Sequence, residues 1–199
     1  MKISTRFMQF STPVLFSVLA IASADAAAAS FRNLPLSIAV ETAEILTPSN
    51  VPGGVRCPLD QFYYGGITSS IKPGNMTIKL ADGNYSRLVT AVATDCATTT
   101  FTFSQGKMTI FAVNGAGTIS ASYSGSFVPS EPGSTILNIN SATFTITGGT
   151  GIFDGAVGSG ELRGTVNATN PLLPMPGSLA ATGTVSFTKP AFERGYTSY

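Results

Sequence analysis

From Thr118 to Phe127 the chain alternates without a break. Ile119, Ala121, Tyr123, Gly125 and Phe127 fall on one face; Thr118, Ser120, Ser122, Ser124 and Ser126 fall on the other. A period of two belongs to a strand, because successive side chains leave a pleated backbone on opposite sides. One apolar face and one hydroxylated face describe a sheet packed on one side and wet on the other. The pattern recurs at Met76, Ile78 and Leu80, at Leu162, Gly164 and Val166, and from Leu179 through Ala181, Gly183 and Val185 to Phe187. Asp82-Gly83-Asn84, Gln105-Gly106 and Asn114-Gly115 read as tight turns between such segments. Eight or nine strands on short connections pair with antiparallel neighbours. The expected fold is all-β, a single antiparallel β-barrel of about eight strands, because closure removes exposed edges. A two-sheet β-sandwich is the competing arrangement.

Charged residues make up only 11% of the chain against 43% hydrophobic, which argues against disorder. The N-terminus has the layout of a secretory signal: Lys2 and Arg6, an apolar run from Pro13 to Ala22, then the small-x-small site Ala24-Asp25-Ala26. The apolar run falls short of the roughly 20 residues a spanning helix needs. Cleavage near Ala26 would deliver a secreted or periplasmic protein with no membrane span in the mature chain. It would also remove two of the 11 basic and one of the 10 acidic residues, leaving charges balanced. Such a balance points to no nucleic-acid partner. The chain then divides into a signal peptide (1–26), an N-terminal strand and loop (27–56), a β-barrel (57–190) and a tail (191–199).

Cys57 and Cys96 are the two cysteines, and in an exported chain an even pair reads as one disulfide. Closing a loop of roughly 40 residues would add up to about 4 kcal/mol in the chain-entropy account. The chain has no histidine, so a Ser-His-Asp triad is ruled out and the commonest zinc ligand is missing. No metal site and no cofactor are expected.

Ser30 to Leu46 reads either as a strand or as a helix starting at Pro35; the β character of everything downstream favours the strand. A straight strand turns Glu44 inward and Glu41 outward, and a bulge between them would reverse both. Gln61 to Ile71 and Met76 to Ala81 read as two strands. So do Thr99 to Phe103 and Lys107 to Val113, with Gln105-Gly106 turning between them. Thr135 to Asn140 and Thr143 to Thr147 read as one strand with a bulge near Asn140-Ser141.

Between Thr143–Thr147 and Glu161–Val166 the chain runs through Gly148-Gly149-Thr150-Gly151-Ile152-Phe153-Asp154-Gly155-Ala156-Val157-Gly158. Glycines at this density supply backbone angles closed to other residues. Gly148, Gly149, Gly151, Gly155 and Gly158 are therefore structural residues of a corner that closes the barrel, and Phe153 is its apolar plug. Together with Gly117-Thr118-Ile119-Ser120, this corner resembles the Gly-Gly-Ser/Thr-Gly-x-Phe segment of the allene oxide cyclase and dirigent proteins. The resemblance spans about 50 residues, Gly117 to Val166. It implies an eight-stranded antiparallel barrel with an apolar interior, often oligomeric. The cyclases hold a reactive lipid epoxide and use a Glu with ordered water. Dirigent proteins orient radicals for coupling. Only the glycines and Phe153 carry over residue by residue.

The sequence singles out no catalytic residue. Glu44 is the one acid that strand parity turns inward, and a carboxyl in an apolar interior would act as acid or base. Asp154 is read as bracing the corner. Phe101, Phe103, Tyr123, Phe127 and Phe144 are the residues expected to line an interior and touch a ligand. Barrels of this size either fill with side chains or hold one small ligand. The loop Pro171 to Pro176 is apolar and proline-stiffened, suited to lidding an open end or to a subunit contact. Three functions follow: a barrel binding a small apolar ligand or serving as an interaction module, a cofactor-free cyclase or isomerase, and a structural surface protein with a filled barrel. A homo-oligomer is compatible with each.

Overall fold

A computed structural model of the chain describes residues 31–48, 64–81, 83–98 and 100–188, with side chains undescribed at 46–48 and 64–71. The predicted signal segment, Cys57 and the C-terminal tail lie outside these residues. Eight strands follow in order: β1 Phe31–Pro48, β2 Tyr64–Leu80, β3 Gly83–Ala97, β4 Thr102–Ala112, β5 Gly117–Pro129, β6 Ile136–Gly151, β7 Val157–Asn167 and β8 Met175–Phe187. Each pairs antiparallel with its sequence neighbours, and β1 pairs with β8, so one sheet closes into a barrel. The sandwich alternative is thereby excluded, as is the helical reading of Ser30 to Leu46. β1 is a barrel strand hydrogen-bonded on both edges, not a segment ahead of the barrel. Ring closure therefore rests on β1 and β8 rather than on the glycine corner.

Apolar side chains fill most of the interior, while the outer faces mix hydroxyls with exposed apolar residues such as Leu88, Val92, Phe111 and Val157. On β6, for example, Ala142, Phe144 and Ile146 are buried while Thr143, Thr145 and Thr147 are exposed. Among the described residues no helix is long and apolar enough to cross a membrane.

Bulges, more than turns, shape the strands. The two strands expected on either side of Lys72 are one, β2, with its extra residues between Ser69 and Gly74. The two expected around Gln105-Gly106 are also one, β4. Gln105 takes a φ of 54° and shifts the register without reversing the chain. Inward parity then changes along β4, from Phe103 to Gly106, Met108 and Ile110. Ser141, at φ 48°, does the same in β6, where the expected bulge is found. Ile139 lines the interior before it and Ala142, Phe144 and Ile146 after it.

The barrel has two unlike ends. At one, the chain leaves β6 at Gly151 (φ 63°), turns through Ile152 to Ala156, with Gly155 at φ 70°, and enters β7. The Phe153 N–H donates to the Thr150 carbonyl at 3.1 Å, and the Ala156 N–H donates to the Phe153 carbonyl at 3.0 Å. This fold-back drives Phe153 inside, where it meets Tyr85 and Phe187 edge-on at 6.5 and 6.1 Å. Full burial of such a ring stabilises by about 2–3 kcal/mol. A side chain at Gly148 would stand in open space, so nothing around that position requires glycine. The opposite end carries the turn Thr98–Thr102 and the longer β5–β6 and β7–β8 loops.

Candidate functional site

The half of the barrel away from Phe153 holds a small cavity. It measures about 40 Å3 and is lined by side chains of β1, β3, β4, β5, β6, β7 and β8. Three ionisable groups meet there: Glu44 from β1, Asp95 from β3 and Tyr123 from β5. Each arrives by strand parity. On β1 the inward series runs Leu36, Ile38, Val40, Thr42, Glu44, all buried. Both irregularities in the β1–β2 pairing place their extra residues on β2, so β1 runs without a bulge from Leu34 to Glu44 and Glu44 stays inside. Glu41 faces out, 3.1 Å from Lys72. On β3 the series is Val89, Ala91, Ala93, Asp95. Glu44 is therefore not the one inward acid; Asp95 is a second. The apolar residues of both parities in β3 hid the rule that its odd positions point inward.

Gly106 sets the Tyr123 ring. A Cβ at Gly106 would come within 2.6 Å of the ring carbons Cγ and Cδ2, so only glycine lets the ring lie across β4. From that position the Tyr123 hydroxyl donates to Asp95 Oδ2 at 2.7 Å. Asp95 Oδ1 is buried and has no hydrogen-bond partner among the described residues. An unpartnered buried acceptor costs about 1–3 kcal/mol, more for a charged one.

Burial dominates the electrostatics. Glu44 and Asp95 are 6% and 4% exposed. Desolvation, then the nearby Asp95 charge, pushes the Glu44 carboxyl from 4.5 to about 7. Desolvation pushes Asp95 from 3.8 to about 6, and the Tyr123 hydrogen bond opposes that rise. The Tyr123 phenol is driven upward by burial and by Asp95, so it remains a donor. Among the described residues no lysine or arginine lines the cavity.

Of the residues expected to line an interior, Phe103, Tyr123, Phe127 and Phe144 point into the barrel, and the first three line the cavity. Phe103 stacks obliquely on Phe127 at 4.8 Å and on Tyr123 at 5.9 Å. Phe144 is buried against Gly160 and is not among the cavity-lining residues. Phe101 is 47% exposed and takes a φ of 60° in the turn Thr98–Thr102. It precedes β4, so the alternation that paired it with Phe103 is interrupted, and it lies outside the barrel. Asp154 is exposed on the corner, where its carbonyl accepts from the Thr188 N–H at 3.4 Å. Cys96 is fully buried on β3, while its expected partner Cys57 lies outside the described residues.

Phe127, Ile139 and Leu179, all half-buried, line the cavity toward the loop end. Leu172 and Leu173 in the Pro171–Pro176 loop are 91% and 59% exposed at that same end, and Met175 beside Glu44 is buried. A volume of about 40 Å3 takes one or two waters or the head of a ligand, far less than a whole drug-sized molecule. Among the described residues no group of three or more His, Cys, Asp or Glu side chains forms a metal cluster. No family model matches the chain, and neither a curated protein nor a solved structure matches it.

Proposed function

We propose that the barrel binds a small, mostly apolar molecule at its loop end, with the polar head of the ligand seated against Glu44, Asp95 and Tyr123. The observation that carries this reading is the buried acid pair itself. A barrel serving only as a scaffold gains nothing from two carboxyls inside it, since each carries a desolvation penalty that apolar residues would avoid. Here the penalty is concentrated at one small cavity, and an acceptor there is left without a partner among the described residues. Stored cost of that kind is characteristic of binding and catalytic sites. The body of the ligand would extend past Phe127, Ile139 and Leu179 toward the mouth.

Native mass spectrometry of the protein purified from its own host tests the reading. A stoichiometric small-molecule adduct, lost in Ala93→Val, which fills the cavity, supports it. A clean apo mass, together with no thermal stabilisation by short alkanols, refutes it.

A second reading, a cofactor-free cyclase or isomerase, is favoured by one feature. Two carboxyls brought to about 7 and about 6 share one cavity, so one can give a proton while the other accepts. The resemblance of the glycine corner to the allene oxide cyclase and dirigent proteins agrees with either reading. Export and a Cys57–Cys96 disulfide belong to the same proposal, supported by the signal-like N-terminus and the even cysteine pair.

A further inference from the structure

We infer that the head group this cavity takes is cationic, a protonated primary amine on a small apolar body. The inference rests on the ligand-binding reading above and adds the chemical class of the ligand. Three features point to it. The polar side chains at the cavity are acceptors or hydroxyls: Glu44, Asp95, Tyr123 and Thr42, with no lysine or arginine among the described lining residues. Asp95 Oδ1, on a side chain almost wholly removed from solvent, is an acceptor with no donor among the described residues. The space left, about 40 Å3, admits an –NH3+ group and its first methylene.

Buried charge is tolerated where it is paired and hydrogen-bonded. An ammonium brings three donors and the missing positive charge. One donor reaches Asp95 Oδ1, and Glu44 is the second carboxylate within the same cavity. Phe103, Tyr123 and Phe127 present aromatic surface to the cation and to the first carbons of its chain. A carboxylate or phosphate head would meet only like charge. A trimethylammonium head exceeds the volume and offers no donor. A calcium ion demands six to eight oxygens, more than these apolar walls present.

Among the described residues the groups facing the acid pair are few. Thr68 of β2 and Met175 of β8 stand opposite Glu44, and Gly66 of β2 stands opposite Asp95. β4 and β5 contribute Phe103, Met108, Tyr123 and Phe127 to the cavity wall. The acids themselves therefore set the pH dependence: the amine binds their ionised forms, so affinity rises with pH through about 6 to about 7.

The test is calorimetric titration of the full chain with hexylamine, 1-hexanol and hexanoate, three probes sharing one alkyl body. At pH 7.5 hexylamine binds about tenfold or more tighter than hexanol, and hexanoate binds weakest. Asp95→Asn reduces the preference for the amine over hexanol to near parity, and circular dichroism of the variant confirms the fold. Hexylamine affinity falls about tenfold or more between pH 7.5 and pH 5. If hexanol or hexanoate binds as tightly as hexylamine at pH 7.5, the cationic head is refuted while the ligand-binding reading stands. If none of the three binds, both are refuted.

Discussion

Replacing Glu44 by glutamine isolates the energetic consequence of burying that acid. Its carboxyl is raised from 4.5 to about 7 by desolvation first and by Asp95 second. The folded state therefore holds the proton more tightly than the unfolded chain does. The stability this contributes is complete below pH 4.5 and is lost as pH rises through about 7. A shift from 4.5 to about 7 corresponds, at about 1.36 kcal/mol per unit, to roughly 3 kcal/mol lost across that window. The group is buried, so solvent screening takes little of this away. The glutamine side chain has the same shape and does not titrate. Any cost of its extra amide donors is the same at every pH. The difference in stability between Glu44→Gln and the natural chain therefore moves in favour of the variant by roughly 3 kcal/mol between about pH 4 and about pH 8. For a chain of this length that equals a relative gain of roughly 6–12 °C in Tm. Far-UV circular dichroism melts of both proteins, run in parallel at pH steps across that range, measure it. Two Tm curves that stay parallel throughout would show that Glu44 is solvated or already paired in the folded protein, and the reasoning would fail.

Other consequences are equally direct. Tyr123→Phe removes the hydrogen bond that holds Asp95 down, so the Asp95 carboxyl, observed by carbon NMR titration, should rise above about 6; an unchanged or lowered value would contradict the assignment. Gly106→Ala forces a Cβ against the Tyr123 ring and should cost about 1–3 kcal/mol in urea unfolding, with the Asp95 titration moving in the same direction as in Tyr123→Phe. Phe153→Ala empties the plugged end and should cost about 3–5 kcal/mol, yet leave the Glu44 and Asp95 titrations in place, because they occupy the other half of the barrel. Reduction of a Cys57–Cys96 bond should lower the denaturation midpoint by the equivalent of up to about 4 kcal/mol; free thiols found by alkylation of the untreated protein would show that no such bond exists.

The cavity also bears on the choice among the three functions open from sequence. Phe103, Met108, Phe127 and Leu162 occupy much of the loop half, and what remains is far smaller than a cavity that would enclose a whole ligand. Volume alone would favour a structural barrel. The acid pair reverses that preference, because a filled scaffold has no reason to carry it. A ligand held by its head, with its body at the mouth, satisfies both observations.

Strand parity in the sequence was enough to specify an all-β chain with an apolar inside and a hydroxylated outside. The Asn140-Ser141 bulge was legible because apolar parity changes there, from Leu137 and Ile139 to Ala142 and Phe144. The corner around Phe153 was legible because glycines at that density mark backbone angles closed to other residues, as Gly151 and Gly155 show. Glu44 could be turned inward, on condition that β1 ran straight. What parity cannot carry is height along the barrel axis or position around the ring. It says which way a side chain points from its own strand, and nothing about which residues of other strands it will face. That depends on the stagger accumulated strand by strand, and the stagger is set by bulges at Ser69–Gly74, Gln105 and Ser141 that arise from pairing. Only the closed sheet brought Glu44, Asp95 and Tyr123, from three strands that do not pair with one another, to a single cavity. Phe101 shows the same limit from the other side: its alternation with Phe103 was real in the sequence, and the turn at Thr98–Thr102 put it in solvent.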